Sequence, residues 1–278
     1  MSDLTYVQSV VLGVVEGLTE FLPVSSTGHL TITEKLMGLK VDDPAVTSFT
    51  AVVQLGAIVA TLIYFRSDIT RLAGAFVGGL RDRERRDTLD YRLAWFVIVG
   101  SIPVAVAGLA LKDVITGPLR SLWVVAVALI AWSLVMVVAE RRATQSKGER
   151  DLTLTDVLVI GLVQCIALVP GVSRSGATIS AGLLRGVDRV SATRLSFFLA
   201  IPALTAAGLY ELKDVNTTVV GVGQILIGTL VAFVVAYASI AWLLRFVQHH
   251  PLTVFVYYRV ALGLALGVLL GVGALSAT

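Results

Sequence analysis

GVVEGLTEFLPVSSTG, Gly13 to Gly28, and GLVQCIALVPGVSRSG, Gly161 to Gly176, are two polar turns set into otherwise oily sequence. Laid over one another with an offset of 148 positions, they match at Gly13/Gly161, Val15/Val163, Val24/Val172, Ser25/Ser173 and Gly28/Gly176, and Glu16 faces Gln164. The chain therefore reads as a duplicated unit. In each copy an apolar helix stops at a Pro/Gly turn and displays serines. Backbone left unpaired at membrane depth is tolerated only where it is buried or lines a cavity. The two turns are on that ground the candidates for the working site.

The surrounding sequence is 278 residues long, 56% apolar and 15% charged, with a mean hydropathy of +0.86. Soluble domains carry about 25% charged residues, so this composition belongs to an all-α integral membrane protein. Six stretches suffice to cross a hydrocarbon core as helices: Val46 to Phe65, Leu93 to Leu111, Ser121 to Ala139, Leu195 to Leu212, Gly221 to Leu244, and Val254 to Ala274. The first apolar stretch lacks a basic start and carries Asp3, Glu16 and Glu20, so it is expected to remain in the mature protein rather than to be cleaved as a signal. Cys165 is the only cysteine, which excludes an internal disulfide and a multi-cysteine metal site. The pI near 9.1 is better explained by topology and anionic headgroups than by nucleic acid, and no nucleic-acid partner is expected.

Counted between the spans, Lys and Arg sort by side. Arg66, Arg71, Arg81, Arg83, Arg85, Arg86, Arg92, Arg141, Arg142, Lys147, Arg150, Arg185, Arg189, Arg194 and Arg245 fall on one side; Lys35, Lys40, Lys112, Arg120 and Lys213 fall on the other. The fifteen are placed in the cytoplasm, provided each duplicated segment enters and leaves on one face. Residues 4–39 and 153–187 are thus expected as re-entrant helical hairpins, the first from the outer face and the second from the cytoplasm. With three spans between them the architecture is an inverted-topology repeat, copy 1 at about 1–139 and copy 2 at about 153–278, within one membrane domain. The charged stretch Gly74 to Trp95 is expected as an interfacial cytoplasmic helix. Gly263, Gly267 and Gly271 form a small-residue stripe that serves close packing, either within the chain or in a homodimer.

Glu16 and Glu20 lie one helical turn apart and project from one face. Carboxylates in lipid need a cation, a metal or a water-filled cavity. They could simply hold the hairpin through an ion pair, but after Pro23 come Ser25, Ser26, Thr27, Gly28 and His29: hydroxyls, backbone amides and an imidazole. Amides at the start of a resuming helix point toward an anion. The second turn adds Ser173, Arg174, Ser175, Gly176 and Thr178. Arg174 has a fork suited to phosphate oxygens and cannot shed its charge, so its partner is either a glutamate of the first turn or a bound phosphate. Together these residues fit phosphoryl transfer.

At EGLTEFLPVSSTGH (Glu16 to His29) and PGVSRSGAT (Pro170 to Thr178) the chain resembles the bacterial undecaprenyl-diphosphate phosphatase family, also known for bacitracin resistance. The resemblance implies a multi-pass protein of the bacterial cytoplasmic (inner) membrane that hydrolyses undecaprenyl diphosphate to undecaprenyl phosphate and inorganic phosphate. It also implies a site open to the periplasmic side and a divalent cation. Hard carboxylate ligands such as Glu16 and Glu20 suit Mg²⁺ or Ca²⁺, with the diphosphate completing the shell. The expected mechanism has Ser26 attack the distal phosphorus, His29 as its nearest base, Glu16 and Glu20 tuning it, handling protons or holding the cation, and Arg174 neutralising charge. Ser25, Thr27, Ser173, Ser175, Gly176 and Thr178 would line the phosphate. His29 as nucleophile is the competing mechanism, and a transporter or flippase of a lipid phosphate or other anion is the competing class.

Overall fold

The computed structural model describes residues 4–40, 43–117, 119, 121–211 and 221–277. Asp3, Arg120, Leu212 and Lys213 lie outside the described residues. Twelve α-helices account for most of them: α1 Tyr6–Thr19, α2 Ser26–Leu36, α3 Pro44–Tyr64, α4 Arg66–Arg81, α5 Leu89–Ala110, α6 Lys112–Thr116, α7 Leu122–Arg142, α8 Leu154–Gln164, α9 Arg174–Leu184, α10 Arg189–Glu211, α11 Val222–His249 and α12 Thr253–Gly271. Six of these, α3, α5, α7, α10, α11 and α12, are long and apolar enough to cross a bilayer. They show large aliphatic side chains outward at helical spacing, as in Leu226, Leu230 and Val234 of α11, each more than half exposed. Water would not tolerate such continuous apolar faces, whereas lipid does. The chain is an all-α, multi-pass integral membrane protein.

The four helices of the two turns are shorter, 14 and 11 residues for α1 and α2 and 11 each for α8 and α9. At about 1.5 Å per residue none reaches across the roughly 30 Å of hydrocarbon. Each pair folds back on itself, and the local chemistry that does so repeats. Thr5 caps α1 in a reciprocal box with Gln8, and Thr153 caps α8 in the same box with Asp156. Ser25 caps α2 and Ser173 caps α9, both in the left-handed region, at φ 78° and 77°. All these equivalents stand 148 positions apart.

Both ends of each pair come together. Leu4 and Leu39 share an apolar cluster with Val46 and Phe49 at the start of α3. At the other pair, Arg185 beyond α9 donates to Asp156 at the start of α8 (2.8 Å), where Lys147 also binds (3.0 Å). Burial pushes the Asp156 carboxyl up, but the Thr153 hydroxyl, Arg185, Lys147 and the Thr153 amide outweigh it and hold it down at about 2. Three long helices, α3, α5 and α7, lie between the two hairpins in the chain. Each hairpin leans on the other half of the chain: α1 lies along α11 and α8 along α5. Small residues allow it. A Cβ on Gly13 would stand 2.5 Å from the Gly228 carbonyl, and one on Gly161 would strike the Gly100 carbonyl.

The charged stretch Gly74 to Trp95 is not one helix. α4 stops at Arg81, residues Arg83–Asp87 form a 3₁₀ turn, and α5 begins at Leu89. Asp82 caps the Glu84 amide and Thr88 caps that of Tyr91, and these local side-chain bonds compete successfully with a continuous helix. Of the glycine stripe on α12, Gly263 packs against Ala126 and Ile130 of α7, whereas Gly267 and Gly271 have open space around them.

Candidate active site

The tips of the two hairpins touch. Ser25 Oγ accepts a hydrogen bond from the Gly171 amide at 3.0 Å, and from that of Gly28 at a longer 3.5 Å. Gly171 has φ 99°, and a Cβ there would meet the Val125 carbonyl at 2.6 Å, so this close approach requires glycine. The positive φ at Ser25 and Ser173 is unusual for a residue with a side chain and persists because each hydroxyl caps the helix that follows. Ser173 Oγ accepts from the Gly176 amide (3.2 Å) and contacts Ser175 Oγ (3.2 Å).

Across this junction three predicted residues converge. Ser26 Oγ donates to Glu20 Oε2 at 2.6 Å, and Arg174 Nη2 donates to Glu20 Oε1 at 3.2 Å. Both members of the Arg174–Glu20 pair are largely shielded, with side-chain exposures of 12% and 7%, so solvent screens their interaction little. Arg174 Nη1 is held by the Ser196 carbonyl (3.2 Å), while its Nε is buried with no hydrogen-bond partner. Glu16 is buried one turn before Glu20. Its counterpart Gln164 is also fully buried, and neither atom of that amide finds a partner.

His29 is arranged differently from the sequence expectation. Its Nδ1 donates to the Ser25 carbonyl at 2.7 Å, which leaves Nε2 for the Tyr258 hydroxyl at 2.6 Å, and the two rings stack. A carbonyl can only accept, so the neutral ring carries its proton on Nδ1 and Tyr258 donates to Nε2. The hydroxyl of Ser26 is thus bound by Glu20, not by His29. Thr27 is exposed and does not join the cluster. Thr178 is buried and donates to Ser196 Oγ at 2.6 Å, which ties α9 to α10 rather than presenting a free hydroxyl.

Three contributors lay beyond the predicted set: Ser196, Tyr258 and Arg259. Arg259 is completely buried in α12 and donates to Pro23 O (3.1 Å), Gly171 O (2.9 Å), Leu129 O (3.4 Å) and Ser133 Oγ (3.1 Å). Its signal in the sequence was an arginine inside an apolar span, which by default marks function.

Among the described residues no three His, Cys, Asp or Glu side chains gather as a metal cage. Two buried carboxylates one turn apart nevertheless fit a hard cation that takes its remaining oxygens from water and a phosphorylated ligand, the way Mg²⁺ is usually held. The arrangement as a whole sets a hydroxyl on a carboxylate beside a guanidinium with an unmet N–H. It can deprotonate an alcohol and receive an anion at the same point.

The comparisons with known proteins agree in kind. The family described as Bacitracin resistance protein BacA matches residues 9–265. Undecaprenyl-diphosphatase 1 of Streptomyces avermitilis is 56% identical over 277 residues, 99% of this chain and 100% of that one. Undecaprenyl-diphosphatase 1 of Streptomyces coelicolor is 58% identical over 276 residues, 99% of each chain, and the undecaprenyl-diphosphatase of Acidothermus cellulolyticus 59% over 255, 91% of this chain and 92% of that one. Matched over nearly its whole length and more than half identical to these relatives, the chain belongs to the bacitracin resistance protein BacA family.

Proposed function

We propose that this protein hydrolyses undecaprenyl diphosphate to undecaprenyl phosphate and inorganic phosphate. It thereby recycles the lipid carrier of peptidoglycan synthesis in the bacterial inner membrane and confers bacitracin resistance. The observation that carries the reading is the Glu20 carboxylate shared between Ser26 and Arg174, because it joins nucleophile, base and anion cradle from two turns far apart in sequence.

Ser26 Oγ attacks the distal phosphorus as its proton passes to Glu20, the bridging P–O bond breaks, and undecaprenyl phosphate leaves. As Glu20 takes the proton its hold on Arg174 weakens, and the guanidinium, with its unmet Nε–H, turns to the phosphoryl oxygens. Water then splits the phosphoserine, releasing inorganic phosphate and restoring Ser26. Ser173 and Ser175, with the Gly176 amide, sit beside Arg174 where phosphate oxygens would lie; Ser25 sets the backbone of the nucleophile. Glu16, with Glu20 before it takes the proton, would hold Mg²⁺ or Ca²⁺, which would supply charge neutralisation for the diphosphate. A site that opens to the periplasm belongs to the same reading, as the likeness to the undecaprenyl-diphosphatases implies. Both hairpins are re-entrant in this reading, and their tips meet near the midplane.

Phosphate release by the purified, detergent-solubilised protein tests the proposal. Wild type should release phosphate from undecaprenyl diphosphate with added Mg²⁺ or Ca²⁺, and Ser26→Ala should fall to background. Movement of a lipid phosphate between vesicle leaflets without phosphate release would favour the transporter instead.

A further inference from the structure

Pro23 and Gly171 stand 148 positions apart, each two residues before the strained serine that opens a helix. Arg259 takes the carbonyl of one with Nη1 and that of the other with Nη2. One guanidinium therefore grips the same backbone atom in both copies, and its planar fork is itself two-fold symmetric. The remaining contacts seat it on α7, through the Leu129 carbonyl and the Ser133 hydroxyl. All four acceptors are neutral oxygens, so the arginine is not there as half of an ion pair with one of them. It is completely buried, and its guanidinium is engaged by these protein oxygens. Inward-facing carbonyls at two turn tips must find donors, and arginine supplies several from one rigid plane.

We infer that Arg259 is a positioning residue that indexes the two turns on each other, and so fixes Ser26 and Glu20 of the first relative to Arg174 of the second. The consequence for turnover rests on the phosphatase reading; the grip itself does not. Two further contacts act in the same sense. Gly171 is held through its amide as well, which donates to Ser25, and the neighbouring Tyr258 fixes His29. The same stretch of α12 thus carries the alignment of both turns. Lysine keeps the charge but offers a single point, which can reach one carbonyl and not both.

Two measurements test this on the whole protein. Spin labels on L18C and I166C, both partly exposed sites next to the turns, on a C165S background, report the separation of the hairpins without any need for activity. With Arg259 present the distance distribution should be single and narrow; Arg259→Lys and Arg259→Met should both broaden or split it. In parallel, both variants should lower kcat by roughly 100-fold with KM little changed, since a misplacement of about 1 Å costs that much. Lysine should rescue no better than methionine. Ser133→Ala, which removes a seat of the arginine but neither carbonyl bond, should keep the narrow distribution. Arg259→Gln, able to reach only one turn, replaces either variant if it is not recovered folded. An unchanged distribution in the Arg259 variants, full rescue by lysine, or an equal effect of Ser133→Ala would overturn the inference. A wild type that releases no phosphate would sink the phosphatase reading while leaving the distances to decide the grip.

Discussion

The two turns share a backbone and divide the chemistry. Ser25 and Ser173 have nearly the same unusual φ, and each caps a helix by accepting from the amide of a glycine three residues on. Position by position the side chains then diverge: Glu16 faces Gln164, Glu20 faces Leu168, Ser26 faces Arg174 and His29 faces Ala177. One copy carries the acids, the hydroxyl and the imidazole; the other carries the cation. A duplicated scaffold thus supplies two matching helix starts, and in the proposed reaction the nucleophile and the charge sink come together only because the copies differ and meet. Neither turn alone holds both a carboxylate-bound hydroxyl and an arginine.

The most severe break of this division is at position 26. Ser26→Ala should reduce turnover to background, measured as phosphate release. Next come the two arms of the shared carboxylate. Glu20→Gln should cost roughly 10²- to 10⁴-fold, as expected for loss of a general base, and Arg174→Ala roughly 10²- to 10³-fold, as for loss of a charge-stabilising donor. Arg174→Lys should recover little, since an ammonium cannot reproduce the fork. Near-normal turnover in a folded Arg174→Ala protein would show that the second copy does not supply the charge sink. Glu16→Gln makes the first turn resemble the second at that position. It should raise the cation concentration for half-maximal activity on the order of 10-fold, by analogy with metal sites that lose a supporting carboxylate, and an unchanged cation requirement would remove Glu16 from the metal site.

The smallest effect on activity lies at the base of the second hairpin. Asp156→Asn should cost stability, about 1.5 kcal/mol, by weakening the hold on the partly exposed Lys147 and Arg185. Because its carboxyl sits at about 2, below the ordinary 3.8, the wild-type contribution is present above pH 4 and is lost as the pH falls toward 2. Thermal unfolding in detergent checks it: Asp156→Asn should melt lower near neutral pH, and the gap should shrink in acid.

Much of this was legible in sequence because membrane constraints are strict. Twenty-residue apolar runs can only be buried helices, and a Pro/Gly-interrupted run with serines can only sit against protein or a cavity. The turns and their polar residues followed from that. What escaped was set by backbone direction and distant contacts. Ser26 and His29 lie one helical turn apart, which makes them look like a pair. Yet the left-handed Ser25 turns the helix start so that Ser26 meets the end of α1, and Tyr258, 229 positions away, claims the histidine. Arg259 reaches carbonyls 236 and 88 positions distant. Spacing along the chain carries no trace of such meetings. The break in the charged stretch at Asp82 and Thr88 was local and visible as capping residues, but the run of alternating charges also suits a helix.

The division between the turns is tested most directly by rapidly quenching the wild-type reaction with radiolabelled undecaprenyl diphosphate and locating the covalent label. Attack by the hydroxyl that Glu20 holds predicts an acid-stable phosphoserine at Ser26, absent in Ser26→Ala and Glu20→Gln. An acid-labile phosphohistidine at His29, or label retained in Ser26→Ala, would contradict the account.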